Sequence, residues 1–113
     1  MVSEQWRVFD LEDIKQKLAG GKVEYLEFLN VSAMSCGLYF LPAGSKDMQS
    51  HHDDDEIYLV LEGKARMRLG DRERAVSAGS VLYVGATTEH SFFEIDEDMT
   101  LLVMLASTPP AKK

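Results

Sequence analysis

The feature that most constrains the fold is a succession of short apolar segments separated by turn residues along most of the chain. Aliphatic and aromatic side chains fill these segments, and Gly, Pro or Asp interrupt them at the spacing of antiparallel hairpins. The predicted strands are residues 23–29, 31–41, 56–61, 64–69, 72–76, 81–84, 91–95 and 100–106. Many short strands at hairpin spacing predict an all-β sandwich or barrel.

One hairpin carries most of the arginines. Residues 64–69 alternate between basic and apolar side chains, and Gly70-Asp71 predicts the tight turn that returns the chain through residues 72–76. On this pattern we expect the hairpin arginines on outward faces or in loops, in contact with solvent. They are Arg66, Arg68, Arg72 and Arg74.

A segment near the N-terminus predicts one short helix. Leu11, Ile14 and Leu18 repeat at helical spacing, Asp10 is placed to cap the first turn, and Gly20-Gly21 ends the pattern. We expect this helix to cover one end of the β structure.

Length and composition limit the class of protein. The chain has 113 residues, which predicts a single domain over residues 1–113 with a frayed tail at 107–113. Its formal net charge of -7 repels phosphates and anionic lipids, so we expect no nucleic-acid partner and no membrane partner. The N-terminus lacks a signal-peptide pattern, and the lone Cys36 is expected to be a small buried hydrophobe. A cytoplasmic location is therefore predicted.

Three histidines and one glutamate are the candidate metal ligands. His51 and His52 are adjacent, Glu56 follows four residues after His52, and His90 directly precedes a predicted strand. Imidazole nitrogens and carboxylate oxygens bind transition metals when they converge within about 2.0–2.2 Å of one point. His52 and Glu56 share a face if the strand continues between them. The residue types alone admit two interpretations, a metal site or a solvated acidic loop with a surface histidine.

Two segments resemble the motifs of the cupin superfamily. Gly44-x5-Ser50-His51-His52-x3-Glu56-x6-Gly63 is similar to the first motif, with its glycine, histidine pair, glutamate and closing glycine. Gly79-x5-Gly85-x-Thr87-x2-His90-x3-Glu94 is similar to the second motif, and His90 takes the place of that motif's metal-binding histidine. The motifs cover residues 44–94. The resemblance implies a small single-domain cupin, a double-stranded β-helix or jelly-roll barrel with one short N-terminal helix.

The sequence departs from the family at the histidine pair. Counting three intervening residues back from Glu56 places the pair at Ser50 and His52, whereas counting four places it at Gln49 and His51. Strand parity favours His52, and a turn before Glu56 would favour His51. Both alternatives stay open.

The second motif departs as well. Gly85, Thr87 and Glu94 stand where the family usually has proline, glycine and asparagine. These changes bear on the rigidity of the loop before His90 rather than on the ligand itself.

The resemblance implies a metal centre built from His90, Glu56 and either His52 or His51, with Gln49 as a weak additional oxygen ligand. Such a set suits Fe, Mn, Ni or Zn without selecting one of them.

Three protein ligands would leave coordination positions open to a small oxygenated substrate, and the resemblance suggests oxygenase or isomerase chemistry. Glu56 and Tyr58 are the candidate catalytic residues. The alternatives are a non-catalytic small-ligand or sugar-binding module and a metal-free structural dimer.

A homodimer is expected, because the apolar N-terminal strands have edges that can pair across a two-fold axis. The cavity lining is expected to be uncharged and to come from Phe40, Tyr58, Val60, Tyr83, Phe92 and Met104.

Overall fold

The structure is a computed structural model that describes residues 6–47 and 54–106. It contains a helix, α1, followed by antiparallel strands, which confirms the all-β prediction with one short N-terminal helix. The elements are α1 Leu11–Lys15, β1 Glu24–Asn30, β2 Met34–Leu41, β3 Asp55–Leu69, β4 Arg72–Ser77, β5 Val81–Val84 and β6 His90–Ala106. The predicted tail at 107–113 lies outside the described residues, and the single-domain organisation stays a prediction.

The strands form one sheet in the order β1-β2-β6-β3-β4, with β5 also paired to β3. The long strands β3 and β6 pair along most of their length, from Asp55 opposite Ala106 to Leu69 opposite His90. Three register shifts interrupt this ladder between Val60 and Arg66. Before the interruption β3 also pairs with β5, and from Lys64 onward it pairs with β4. The sheet therefore bends in its middle and wraps around a single apolar core.

Gly63 lies at the bend. Its φ of 104° belongs to the region that favours glycine, and a Cβ there would collide with the carbonyl group of Asp98 in β6. The two long strands can therefore approach each other closely where they turn.

Four of the predicted strands merge into two. Residues 56–61 and 64–69 form one strand, β3, and residues 91–95 and 100–106 form one strand, β6. The irregular residues between them are bulges that bend a strand without ending it. The local sequence pattern of a bulge resembles that of a turn, which is why the prediction divided each strand.

The helix is shorter than predicted. It ends at Lys15 and continues only as turns, in which Lys17 N–H donates to the carbonyl of Ile14 and Leu18 N–H to that of Lys15. Asp10 occupies the N-cap position as predicted, and its backbone carbonyl accepts from the N–H groups of Asp13 and Ile14, but its side chain makes no capping hydrogen bond.

The inner face of the bent sheet holds the core. Its buried apolar residues are Tyr39, Leu41, Tyr58, Val60, Ala65, Met67, Val76, Leu82, Val84, Phe92, Ile95, Met99, Leu101 and Val103. Cys36 is buried as predicted, on the other face of β2.

Of the six residues expected to line the cavity, Tyr58, Val60 and Phe92 face inward. Phe40, Tyr83 and Met104 do not, because each is one residue out of phase with a core residue on its own strand.

The predicted outward face of the hairpin arginines is confirmed for β3 and not for β4. Arg66 and Arg68 face outward, with their guanidinium carbons 6.0 and 5.1 Å from the ring centre of Phe93. Arg72 and Arg74 are exposed to solvent, as predicted, but they belong to the opposite face of the hairpin from Arg66 and Arg68. The two-residue turn pairs Leu69 with Arg72 and buried Met67 with Arg74, and directly paired residues project from the same face.

Among the residues that the structure describes, no helix has the length and apolar character needed to cross a membrane.

Candidate metal centre

Glu56 and His90 meet because the sheet bends. Glu56 pairs with Leu105 near one end of the β3–β6 ladder, and His90 pairs with Leu69 at the other end. Along a straight strand the positions of Glu56 and Leu69 would be roughly 40 Å apart. In the folded chain, Nε2 of His90 lies 3.1 Å from Oε1 of Glu56.

The two groups are buried. Each side chain is 1% exposed, and both sit among the apolar side chains of the core. The hydrogen bond to Glu56 raises the pKa of His90, a second bond to the Thr88 carbonyl adds to this, and burial acts in the opposite direction. The imidazole and the carboxylate are therefore held together as an electrostatically coupled pair.

The other ring nitrogen of His90 is held by the loop before β6. Nδ1 lies 2.8 Å from the carbonyl oxygen of Thr88, and a carbonyl only accepts, so Nδ1 carries a proton. In the neutral imidazole this leaves the lone pair on Nε2, the nitrogen that faces Glu56. A backbone carbonyl on the second nitrogen is typical of histidines that bind metals.

Tyr58 completes the buried cluster. Its hydroxyl oxygen lies 3.1 Å from Nε2 of His90, and its ring packs edge-on against Phe92 with centroids 5.2 Å apart. Burial, with a contribution from the charge of Glu56, raises the pKa of Tyr58 far above its usual range. The hydroxyl therefore stays protonated and can donate a hydrogen bond into the site.

Asp47 is a neighbour of the site that the sequence reasoning missed. One carboxylate oxygen accepts a hydrogen bond from the Tyr39 hydroxyl, and the other accepts one from the backbone N–H of Phe92 at 2.9 Å. Its negative charge also raises the pKa of His90. The available signal was an acidic residue inside the first motif, between Gly44 and the histidine pair.

Two departures from the second motif fall at residues with a left-handed backbone, one in the loop before His90 and one within β6. Thr87 and Glu94 have φ values of 66° and 47°, in the left-handed region that glycine and asparagine tolerate better. The backbone conformation at these positions suits the family's usual residues, and this chain adopts it with less suitable ones.

Of the predicted site residues, Glu56, His90 and Tyr58 come together. His51, His52 and Gln49 lie outside the described residues, so the choice between the two histidines and the role of Gln49 stay predictions. Within residues 6–47 and 54–106, no three His, Cys, Asp or Glu side chains are arranged to hold a metal ion.

The described pair nevertheless fits a metal ion. Two neighbouring ligands, each about 2.1 Å from one ion at right angles, would lie about 3 Å apart. The 3.1 Å between Nε2 of His90 and Oε1 of Glu56 matches that spacing. The donor types, one imidazole and one carboxylate, are those of Fe, Mn, Ni and Zn sites.

The comparisons with known proteins agree with this architecture. Residues 37–105 match the family model of the cupin domain. The chain is 39% identical to an uncharacterized protein of Streptomyces coelicolor over 104 residues, which are 92% of this chain and 97% of that protein. The chain also resembles a crystal structure from Thermus thermophilus, with a TM-score of 0.74 and 25% identity over 90% of this chain and 98% of that one.

A further likeness concerns the fold alone. An RmlC-like cupin family protein with a double-stranded β-helix fold from Methanocaldococcus jannaschii has a TM-score of 0.73 and 14% identity, over 92% of this chain and 93% of that one. Members of the matched family often bind transition metals and small ligands, and they commonly form oligomers. The chain belongs to the cupin family.

Proposed function

We propose that this cupin binds one divalent transition metal through His90 and Glu56, with His52 or His51 as a third ligand, and acts as a metal-dependent enzyme on a small oxygenated molecule. Gln49 is the candidate for a weak fourth ligand. The observation that carries the proposal is the buried 3.1 Å contact between His90 Nε2 and Glu56 Oε1, with Nδ1 held by the Thr88 carbonyl.

The cost of burial supports this proposal. Placing two ionisable groups in a core lowers stability unless their attraction offsets the loss of hydration. An apolar pair of the same volume at positions 56 and 90 would fill the space without that cost. A metal ion gives a physical reason for keeping an imidazole and a carboxylate there, since it binds both in their deprotonated forms.

The residues around the pair suit oxygenase or isomerase chemistry. A bound divalent ion acts as a Lewis acid that polarises a substrate oxygen or activates water or dioxygen. Tyr58 keeps its proton and can donate a hydrogen bond to a substrate oxygen near Nε2 of His90. Glu56 can hold or pass on a proton when it is not engaged as a ligand. Apolar neighbours such as Phe92 exclude bulk water.

Metal analysis of the chain purified without chelator tests the proposal. We expect close to one equivalent of Fe, Mn, Ni or Zn in the wild type and a loss of that metal in His90→Ala and in Glu56→Ala. Asp71→Asn, which removes an exposed carboxylate from the β3–β4 turn, is the control and should keep its metal. His51→Ala and His52→Ala, made separately, decide which histidine is the ligand. Unchanged stoichiometry in His90→Ala would contradict the proposal.

The same preparations separate the alternatives. If metal binds but no oxygen uptake or turnover appears with a broad panel of small oxygenated molecules, a non-catalytic ligand- or sugar-binding cupin is favoured. If no metal is bound and the melting temperature does not change with added Mn, Fe, Ni or Zn, the chain is a metal-free structural cupin.

A homodimer is the proposed assembly, and exposed apolar side chains support it. Val81 and Tyr83 of β5 are 67% and 65% exposed, and Ile57 beside Tyr83 is 38% exposed. Ile57 and Tyr83, together with Met34 and Met104, border a groove of about 280 Å³ on the outer face. Apolar residues gathered in this way are typical of surfaces covered by a partner, and a two-fold axis would bury the same patch on each copy.

Sedimentation at tens of micromolar tests the dimer. We expect a dimer for the wild type and a monomer for Tyr83→Asp, with Ser77→Asp of β4 as the control. The N-terminal segment also exposes Trp6 and Val8, at 77% and 76%. Loss of the dimer in Trp6→Asp but not in Tyr83→Asp would place the interface at the segment before α1 instead. A wild-type monomer would rule out the assembly.

We also propose a cytoplasmic location. The support is that Cys36 is buried and has no second cysteine in the chain with which to form a disulfide. Cell fractionation of a tagged chain would test it, and recovery outside the cytoplasmic fraction would overturn it.

A further inference from the structure

Arg72 lies in the same cross-strand row as His90. Arg72 of β4 pairs directly with Leu69 of β3, and Leu69 pairs directly with His90 of β6. Residues that are directly paired in an antiparallel sheet project from the same face. Arg72 therefore faces the inner side of the sheet, two strands away from His90.

Arg74 lies in the next row on the same face. It pairs with Met67 of β3, and Met67 pairs with Phe92 of β6. Met67 and Phe92 are both buried in the core, which fixes the direction of this row. The two arginines thus occupy adjacent positions on the core-side face of β4, beyond the edge of the core, where both are exposed to solvent.

A cavity lies against this pair. It has a volume of about 480 Å³ and is lined by Met67, Leu69, Arg72, Glu73 and Arg74. Pockets of roughly 300–1,000 Å³ with mainly apolar walls and a few polar groups are typical of small-molecule sites. Met67 and Leu69 supply the apolar wall here, and Leu69 is the direct neighbour of His90 in the sheet.

The charge of the two arginines is not neutralised locally. Within the described part of the chain, neither Arg72 nor Arg74 makes a side-chain hydrogen bond or an ion pair. Glu73 lies between them in sequence, but its carboxylate accepts from Arg68, which faces outward. Two guanidinium groups therefore border this cavity in a protein whose formal net charge is -7.

From this arrangement we infer that the cavity beside Arg72 and Arg74 binds the anionic group of a small molecule, a carboxylate or a phosphate, whose other end reaches His90 and Glu56. The part concerning His90 and Glu56 rests on the proposed metal-dependent function, whereas the anion site does not. Guanidinium groups match carboxylate and phosphate oxygens with paired hydrogen bonds. Two strand spacings separate the Cα atoms of Arg72 and His90 by roughly 10 Å, which sets the size of the molecule.

Titrations followed by NMR test the inference with matched probes. Benzoate and phenyl phosphate carry the two anionic groups on one apolar ring, and benzamide is the neutral analogue of benzoate. We expect the anions to bind more tightly than benzamide, with shifts of the Leu69 and His90 amide resonances. The tighter of the two anions identifies the group that the cavity prefers.

Paired variants decide whether anion binding depends on the position of the two arginines or only on the charge of the protein. Arg72→Gln/Arg74→Gln should raise the dissociation constants of the anions about tenfold or more, because hydrogen bonds to charged groups are strong. Arg72→Lys/Arg74→Lys should recover part of the loss, since lysine keeps the charge without the planar fork. Lys64→Gln/Arg66→Gln removes the same charge from the outer face of β3 and should change binding less than about twofold, an effect expected of screened surface charges.

Two results would overturn the inference: equal binding of benzoate and benzamide, or equal losses in the inner-face and outer-face double variants. The titrations are made on chelator-treated protein, and bound metal is measured separately on untreated protein. A failed metal proposal then appears as absent metal with anion binding intact. A failed anion site appears as bound metal with no preference for the anions.

Discussion

At the start of β3, the two faces of the sheet reverse the distribution of polarity that the rest of the strand follows. On the inner face, Glu56 is 2% exposed and contacts His90 inside the core. On the outer face, the next residue, Ile57, is 38% exposed, and its cross-strand neighbour Tyr83 is 65% exposed. A sheet that only had to fold would place the apolar side chains of these strands inside and the carboxylate in water.

This difference shows which parts of the sequence serve purposes other than stability. The buried carboxylate and imidazole cost hydration energy in the core, and they are the two described ligands of the proposed metal site. The exposed isoleucine and tyrosine are unfavourable for a monomer and suit a surface that another copy covers. The buried pair corresponds to the proposed metal site, and the exposed apolar pair corresponds to the proposed dimer interface.

The largest expected effect is a loss of unfolding free energy when a packed aromatic side chain of the inner face is truncated. Phe92→Ala should lower the free energy of unfolding by about 3–5 kcal/mol, because it opens a cavity in the core next to Tyr58. Tyr83→Ala on the outer face is the matched control and should cost less than about 0.5 kcal/mol in the monomer. Urea unfolding measures both.

Protein concentration sharpens this comparison. The loss in Phe92→Ala should not depend on concentration, whereas any loss in Tyr83→Ala should grow where the dimer forms, since association adds to apparent stability. Equal, concentration-independent losses in the two variants would mean that the two faces do not differ as described.

A smaller effect is expected in the loop that holds His90. Thr87→Gly should raise the free energy of unfolding by about 1 kcal/mol, because relief of a left-handed β-branched residue outweighs the added entropy of the unfolded chain. Thr88→Gly next to it has no left-handed φ to relieve and should instead lower stability. Thermal or urea unfolding checks both, and a destabilised Thr87→Gly would contradict the argument.

The smallest effect concerns an exposed ion pair, in contrast to the buried one. Nζ of Lys15 in α1 lies 3.0 Å from a carboxylate oxygen of Glu62 in β3, and the two side chains are 28% and 55% exposed. Lys15→Met should therefore cost only about 0.2–1 kcal/mol, and less in high salt. Lys17→Met, two residues further along, is the control and should be neutral.

The pH dependence of this small loss follows from two opposite shifts. The bond with Lys15 lowers the pKa of Glu62, so the contribution of the pair is present above the unfolded value of about 4.3 and is lost as the pH falls through the lower folded value. The same bond raises the pKa of Lys15, so the contribution is also lost as the pH rises above about 10.4. The difference in the free energy of unfolding between Lys15→Met and the wild type should be constant between about pH 5 and 10. A difference that persists at pH 2 would contradict the assignment.

The strands were predictable because their signals are local. Apolar segments and turn residues located every strand of the described chain, and Gly70-Asp71 identified the β3–β4 hairpin. A two-residue turn after Leu69 pairs that residue with Arg72, so the face to which Arg72 belongs is also a local property of the sequence.

By itself, the sequence determined the strands, the single peripheral helix and the residue types available for a metal, because these depend on neighbours within a few positions. The family resemblance implied that Glu56 and His90 share a site, but only the tertiary structure decided the direct contact between them and the hydrogen bond from the backbone of Phe92 to Asp47. Those contacts require the long β3–β6 ladder to bend at Gly63. The bend brings the two distant ends of the ladder close to each other. The hydrophobic period repeats every two residues on either side of that bend, so it contains no information about how sharply the sheet turns.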